Sequence, residues 1–312
     1  MPSASPRPLP DHPVPDHPVP NDGPSSLVVE PPVPVAGGWA GGPSVVVADG
    51  VTYLAYRLRR PVGEGRGYAN VVARSDDGVA FETICELPRD DFGGDSLERP
   101  ALVRTPQGRW RVYVSVATPG TRHWRVDVVE AADPGSLSAR SARTVLPGDA
   151  GEAVKDPVVL WHAGGWHLWA SCHPLDDPDA TDRMSTRYAT SPDGLDWTWQ
   201  GTALTGRPGC WDARGVRVSS VLVRGDELLA TYDGRATSQE NWEERTGTAR
   251  GTLLAAGLFG PLTATGPVAA RSPHPPHGLR YVTAVPAPDE RLRLYYETTR
   301  ADGAHELRTQ LA

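Results

Sequence analysis

Residues 43–57, PSVVVADGVTYLAYR, contain an apolar strand, a short turn and a second strand that carries aromatic residues. This pattern is typical of a β-hairpin. Four later segments repeat it with turns rich in Gly, Asp or Pro: PALVRTPQGRWRVYVS from Pro100, PVVLWHAGGWHLWAS from Pro157, SSVLVRGDELLATYD from Ser219 and TAVPAPDERLRLYYE from Thr283. The chain therefore contains five related units.

A second hairpin follows the first in several units, as in ARSDDGVAFET at residues 73–83 and ATSPDGLDWTW at residues 189–199. We expect Asp-Gly at the turn because residues there adopt positive φ. Four strands in each of five units predict an all-β fold, a single five-bladed β-propeller. The last unit has room for only three strands, so SSLVVE at residues 25–30 is expected to supply the fourth and close the ring.

The chain divides into two regions by composition. Residues 1–24 are rich in proline and repeat the motif DHPVP, which indicates a disordered, solvated tail. A ligand for a proline-recognising domain is the alternative for this tail. Residues 25–312 then form the five-bladed β-propeller domain.

Charge and residue types limit the classes of partner and cofactor. The net charge of -7 argues against a nucleic-acid-binding protein. The three cysteines, Cys85, Cys172 and Cys210, form neither a disulfide framework nor a metal knuckle, and no zinc spacing occurs among the histidines, so we expect no cofactor or metal. Neither a signal peptide nor a membrane-spanning run is evident, which predicts a cytoplasmic protein without membrane contact.

The residues that open the five inner strands differ from unit to unit. They are Gly41 and Gly42, Glu98 and Arg99, Lys155 and Asp156, Arg217 and Val218, and Arg280 and Tyr281. Lys155 is the only lysine among the 31 basic residues. Charges near a propeller axis are costly to desolvate, which indicates a functional site on this face. The alternative is that these charges pair with one another and hold the ring together.

Five repeats, an Asp-Pro pair at the start of an inner strand and the hairpin SPDGLDW at residues 191–197 resemble the five-bladed propeller glycosidases. These include glycoside hydrolase families 43, 32 and 130. The family-43 resemblance implies a base opening blade one, a pKa-tuning aspartate opening blade three and an acid opening blade four. Asp156 matches the tuning aspartate, but Gly42 and Val218 stand at the base and acid positions, where ordinary inverting hydrolysis needs carboxylates.

Other carboxylates on the same face are candidates for acid and base if burial separates their pKa values. The candidate catalytic residues are Asp156, Glu98, Asp212 and Asp233. Arginine forks suit carboxylates or phosphates, and aromatic rings stack on sugars. The candidate substrate-binding residues are Trp39, Arg57, Arg99, Lys155, His173, Trp211, Arg214, Arg217, Arg235, Trp242, Glu244, Arg245, Tyr281 and Glu297.

The sequence thus predicts a carbohydrate-active enzyme, either a glycoside hydrolase or a glycan phosphorylase, with a non-standard set of carboxylates. Its ligand is expected to be a small molecule or an oligosaccharide, with an anionic substrate or phosphate held by the arginines. Two alternatives stay open: a non-catalytic propeller that binds a glycan or anionic metabolite, and an enzyme of small-molecule biosynthesis that reuses the fold.

Overall fold

The computed structural model describes residues 18–287 and 291–312. Most of the predicted tail, residues 1–17, lies outside this part of the chain. The described residues form β-strands joined by loops and short 3₁₀-helices, and none of their helices is long and apolar enough to cross a membrane. The 3₁₀-helices are Arg89–Phe92, Pro134–Ser136, Ala139–Ser141, Ser238–Glu240 and Ala255–Gly257.

The strands form five blades arranged in chain order, after an initial strand β1 (Ser26–Val29). Blade 1 consists of β2 (Trp39–Ala48), β3 (Val51–Arg59), β4 (Gly67–Ser75) and β5 (Glu82–Pro88). Blade 2 consists of β6 (Ala101–Arg104), β7 (Trp110–Ala117), β8 (Trp124–Ala131) and β9 (Arg143–Leu146). Blade 3 consists of β10 (Glu152–His162), β11 (Gly165–Pro174), β12 (Ser185–Ser191) and β13 (Thr198–Leu204). Blade 4 consists of β14 (Gly215–Arg224), β15 (Glu227–Arg235), β16 (Arg245–Thr252) and β17 (Thr263–Ala270). Blade 5 contains β18 (Leu279–Pro286), β19 (Leu292–Thr299) and β20 (His305–Leu311).

The N-terminal strand completes blade 5. β1 pairs antiparallel with β20, with Ser26 opposite Thr309 and Leu27 opposite Arg308. Before this strand, the backbone N–H of Asn21 donates to Gln310 Oε1 at 2.9 Å. The five-bladed propeller and its closure by an N-terminal strand are therefore confirmed, and the outer edge of β20 is covered rather than left open.

The hairpin turns follow the predicted chemistry in part. Asp49 and Gly50 join β2 to β3 with φ of 53° and 82°, the combination required by a two-residue hairpin turn. The Asp-Gly loops between the third and fourth strands are longer than predicted, and only Gly78 and Gly194 adopt positive φ there. In the first of these loops Asp77 instead accepts two backbone N–H groups through Oδ1, which stabilises a wider turn.

The apolar core lies between blades rather than in one place. In the described residues the buried side chains group into clusters at each blade interface, such as Leu54 of blade 1 with Tyr295 of blade 5. The other clusters join blades 1 and 2, blades 2 and 3, blades 3 and 4, and blades 4 and 5. This packing fixes the blades against one another and leaves the axis to polar side chains.

Candidate functional site

Irregularities in the inner strands place polar residues at the axis. β2, β10 and β18 each bulge at the same point, where two residues oppose one on the next strand. There Gly42, Asp156 and Tyr281 have φ of 62°, 53° and 57°. Positive φ is uncommon for an aspartate or a tyrosine, so the surrounding contacts must hold these conformations. The bulge turns the opening residues of the blades toward one another.

Arg99 ties the inner strands together. From blade 2, its guanidinium donates to Pro43 O of blade 1 and at 2.8 Å to Ser219 O of blade 4. The same side chain reaches Thr283 Oγ1 of blade 5, and the Arg99 backbone N–H donates to Asp156 Oδ1 of blade 3. Arg99 therefore contacts all the other blades, which is a structural role at the axis.

The remaining charges form a continuous network of buried ion pairs. Asp156 accepts from Arg217 Nη1 at 3.1 Å, and Asp233 accepts from the Nε and Nη2 of the same arginine. The other pairs join Arg57 to Glu98 and Glu297, Arg59 to Glu98, Arg235 to Glu244, and Arg280 to Glu244 and Glu297. The alternative derived from the sequence, that the opening charges pair with one another, therefore describes much of this centre.

A small cavity of about 30 Å³ opens above this network. Its walls combine cations, two carboxylates and aromatic rings. The lining residues are Trp39, Arg57, Arg59, Glu98, Lys155, His173, Met184, Arg217, Arg235, Asn241, Trp242, Glu244, Arg280 and Tyr281. We call it the central pocket.

Positive charge exceeds negative charge around the central pocket. The cations are Arg57, Arg59, Arg99, Lys155, Arg217, Arg235 and Arg280, and the carboxylates are Glu98, Asp156, Asp233, Glu244 and Glu297. Within the described chain, Arg59 Nη2 and Arg280 Nη2 are buried and have no hydrogen-bond partner. Buried donors without a partner are costly to the fold.

The excess of cations changes their acidity. Burial together with Arg57 and Arg280 lowers the pKa of Arg59 to about 8. Burial also lowers the pKa of Lys155 to about 8, assisted by Arg217 and Arg57 and opposed by Asp156. An anion bound beside Arg59 would raise the pKa of that arginine again by supplying negative charge.

The buried carboxylates do not titrate alike. Burial raises the pKa of Asp233 to about 6, although Arg217 opposes this shift. Burial acts in the same direction on Glu244 and Glu297, but their arginines outweigh it and hold both pKa values well below the usual range. For Asp156, Lys155 and Arg217 likewise outweigh burial and lower the pKa. Asp233 is thus the carboxylate that protonates first as the pH falls among these four.

His173 is neutral at physiological pH because burial, with Lys155 nearby, lowers its pKa to about 3. Its Nδ1 lies 3.0 Å from Thr181 O, which can only accept, so Nδ1 carries the proton. Nε2, 3.1 Å from Ser171 Oγ, is then the acceptor. His173 therefore presents a neutral ring of fixed orientation to the pocket and does not serve as a general acid.

Comparison with known proteins gives a fold and no sequence family. No family model and no curated protein matches the chain. A thermostable family-43 glycoside hydrolase is 14% identical, covers 89% of this chain and 91% of its own, and has a TM-score of 0.67. An alpha-L-arabinofuranosidase from Lactobacillus brevis is 16% identical over 87% and 90% of the two chains, with a TM-score of 0.65. A beta-1,2-mannobiose phosphorylase from Listeria innocua, solved with beta-1,2-mannobiose, is 17% identical over 89% and 90%, with a TM-score of 0.63. The chain has the propeller fold of these enzymes.

The strand register supports the equivalence of the opening positions across blades. Gly41, Lys155 and Arg280 pair with Arg57, Ser171 and Glu297 just before each bulge. Gly42 and Asp156 therefore occupy equivalent places, as the resemblance implied.

No carboxylate takes the place of the family's base and acid at those positions. A Cβ at Gly41 would overlap the Glu297 carboxylate, and a Cβ at Gly42 would lie 3.2 Å from the Arg99 side chain. Val218, at the acid position, is buried in the apolar cluster between blades 3 and 4. Glu297 of blade 5 thus occupies the space beside Gly41, and Arg99 of blade 2 lies beside Gly42 at the base position.

Several residues predicted for the site lie away from the central pocket. Asp212 accepts from Arg207 and at 2.7 Å from Tyr232 Oη, beside Trp211, whose ring stacks on that tyrosine at 5.6 Å. Arg214 pairs with Asp182 and Arg245 with Glu240. Four predicted site residues near the blade-4 strands thus contact their local neighbours instead of the central pocket: Asp212, Trp211, Arg214 and Arg245. Arg99, Asp156, Asp233 and Glu297 support the pocket from below without lining it.

Four lining residues are absent from the candidates derived from the sequence, namely Arg59, Met184, Asn241 and Arg280. Arg280 was placed on the correct face as an opening residue but was not chosen as a site residue. Arg59 had a usable signal, because it follows Arg57 by two positions on β3 and therefore faces the same side. Met184 and Asn241 lie in or beside loops, where no periodicity indicates direction.

Proposed function

We propose that this protein is a carbohydrate-active enzyme of the glycan-phosphorylase type, in which the central pocket binds an anion beside the reacting end of a saccharide. The observation that carries the proposal is the surplus of cations around the pocket, with guanidinium donors at Arg59 and Arg280 that lack a partner among the described residues. A phosphate bound there would fill both needs, since arginines bind it through paired N–H groups.

Phosphorolysis also agrees with the carboxylates that are present. Inverting hydrolysis needs an acid on one side of the bond and a base that activates water on the other. Phosphate is itself the attacking group, so phosphorolysis requires a protein acid but no protein base. The glycine at the base position is then compatible with activity.

Glu98 is the proposed acid, because it is a sequence-predicted catalytic residue that lines the central pocket. Arg57 and Arg59 contact its carboxylate. An anion bound beside these arginines would compete with Glu98 for their positive charge and so favour its acid form. Asp156 would act from beneath, by fixing Arg217 and Lys155.

The test is a turnover screen of aryl glycosides and short oligosaccharides, with and without phosphate. The proposal predicts phosphate-dependent turnover that falls about 100-fold or more in Glu98→Gln and Asp156→Asn. Asp212→Asn is the matched control, since Asp212 is equally buried and paired but lies outside the pocket. Turnover that ignores phosphate would mean hydrolysis by relocated carboxylates and would contradict the proposal.

A non-catalytic binding propeller is the second candidate. It is favoured by the ion pairs, because the five carboxylates of the network are each held by an arginine or arginines and are poorly placed to exchange protons. Isothermal titration calorimetry with neutral and acidic oligosaccharides distinguishes the two candidates. Binding of an acidic sugar without turnover of any glycoside would select the second.

A further inference from the structure

Lys155 is the cation of the central pocket that is least engaged by the protein. Its Nζ lies 4.0 Å from Asp156 Oδ2, beyond hydrogen-bond distance, and 5.0 Å from the ring centroid of Trp124. No hydrogen bond to this ammonium occurs in the described part of the chain, whereas the neighbouring arginines form several. The Lys155 side chain is 16% exposed, and that exposed surface faces the pocket.

We propose that Lys155 is a nucleophile that forms an imine with the carbonyl carbon of a small anionic aldehyde or ketone bound in the central pocket. The side chains of Arg59 and Arg280 line the same cavity and would hold the anionic end of that compound. The buried Nη2 group of each has no partner among the described residues. Open-chain sugar acids, sugar phosphates and 2-oxo acids belong to this class. The inference goes beyond phosphorolysis, in which Lys155 would serve only as a point charge.

The surroundings of Lys155 favour its reactive, neutral form. Arg57 and Arg217 face it with positive charge, Asp156 and Glu244 with negative charge, and His173 with a neutral ring. With its pKa lowered to about 8, roughly a quarter of the amine is unprotonated at pH 7.5. An ordinary lysine at that pH is neutral in only about one molecule in a thousand.

The reaction balances without an oxidant or a reductant. The ammonium first releases a proton, and the amine nitrogen then bonds to the carbonyl carbon while the C=O π bond breaks and its oxygen takes a proton. The resulting carbinolamine loses its hydroxyl group as water and forms the C=N bond. The sum is ammonium plus carbonyl giving protonated imine plus water. The protons released and taken up in these steps exchange with solvent, to which the Lys155 side chain is partly exposed.

The test is reductive trapping, which this chain suits because Lys155 is its only lysine. The full-length protein is incubated at pH 7.5 with glyoxylate, or with glycolaldehyde phosphate, and sodium cyanoborohydride. Intact-mass and peptide-mapping spectrometry then distinguish Lys155 from the terminal amine. We expect one adduct at Lys155 that is absent in Lys155→Arg, a variant that keeps the charge.

An internal comparator comes from Arg104→Lys, which adds an exposed lysine in a surface ion pair with Asp49. We expect trapping at Lys155 to be about tenfold faster or more than at the introduced lysine. Equal rates at the two positions would overturn the proposal. Glyoxylate carries a carboxylate and glycolaldehyde phosphate carries a phosphate, so their relative trapping rates show which anion the pocket prefers. Either preference agrees with the proposal.

The role of the anion is tested with propionaldehyde, a neutral carbonyl compound, and with Arg59→Met. Faster trapping of the anionic probes, lost in Arg59→Met, is the expected result. Neutral and anionic probes reacting alike would refute the anionic substrate class. Trapping at Lys155 without any phosphate-dependent glycoside turnover would refute the phosphorylase proposal alone. Phosphate-dependent turnover without trapping at Lys155 would refute only the imine proposal.

Discussion

Arg217→Met should destabilise the fold strongly, because Arg217 is the cation shared by two fully buried carboxylates. It donates to Asp156 at 3.1 Å and to Asp233 at 2.9 Å, and its guanidinium lies 4.0 Å from the ring centroid of Tyr281. Methionine keeps most of the apolar stem and removes the charge. Both carboxylates then lose a partner in a place that water does not reach.

The magnitude follows from the cost of breaking a buried pair, which is about 3–5 kcal/mol when one partner is removed. Since 1.36 kcal/mol is a factor of ten, the folded-to-unfolded ratio should fall by roughly 100-fold to several thousand-fold. Arg74→Met is the control. Arg74 also pairs with one carboxylate, Glu82, at 3.2 Å, but both side chains are more than half exposed, so the expected loss is about 0–1 kcal/mol.

Urea unfolding followed by tryptophan fluorescence measures both variants, with stability extrapolated to water. The double variant Arg217→Met/Asp233→Asn should recover part of the loss, because one of the stranded carboxylates is gone. A loss in Arg217→Met no larger than in Arg74→Met would refute the reasoning. So would a double variant that is less stable than the sum of its single changes.

Three further outcomes are expected. Asp233 has a folded-state pKa of about 6, raised from 3.8, so its contribution to stability is complete below pH 3.8 and is lost as the pH rises through 6. The melting temperature of wild type minus that of Asp233→Asn should therefore fall between pH 5 and pH 7. A difference that rises over this range would contradict the sign of the argument. Gly41→Ala places a Cβ on a buried carboxylate and should cost about 1–3 kcal/mol in urea unfolding, whereas Gly165→Ala, with nothing closer than 3.8 Å, should be nearly neutral. Removing residues 1–30 should uncover the last strand and cause self-association in light scattering, whereas removing residues 1–17 should not.

The repeat pattern was sufficient to predict the fold, because hairpins are specified locally. The turn at Asp49–Gly50 and the alternating strands around it are signals within a few residues of one another. Closure was predictable as well, since a count of strands left one missing from the fifth repeat and one spare at residues 25–30. The fold therefore required no information about contacts across the ring.

The site was less predictable, because the direction of a side chain near the axis depends on the bulges. Sequence spacing placed Asp156 and Asp212 on the same face, but the positive φ of Asp156 turns it toward the axis, while Asp212 bonds Tyr232. The pairing of Glu297 with Arg57 joins residues 240 positions apart. No local pattern indicates that an acid from blade 5 fills the space above Gly41.

The pairing of β1 with β20 also determines how late during translation the ring can close. Ser25 and Arg308, which are hydrogen-bonded in the finished ring, are 283 residues apart. At about 5–20 residues per second, a ribosome makes them roughly 15–60 s apart. During that interval the first blades have emerged without blade 5, so Arg57 lacks its partner Glu297 and β1 has no strand to pair with. The nascent chain thus presents an open strand until β20 is translated.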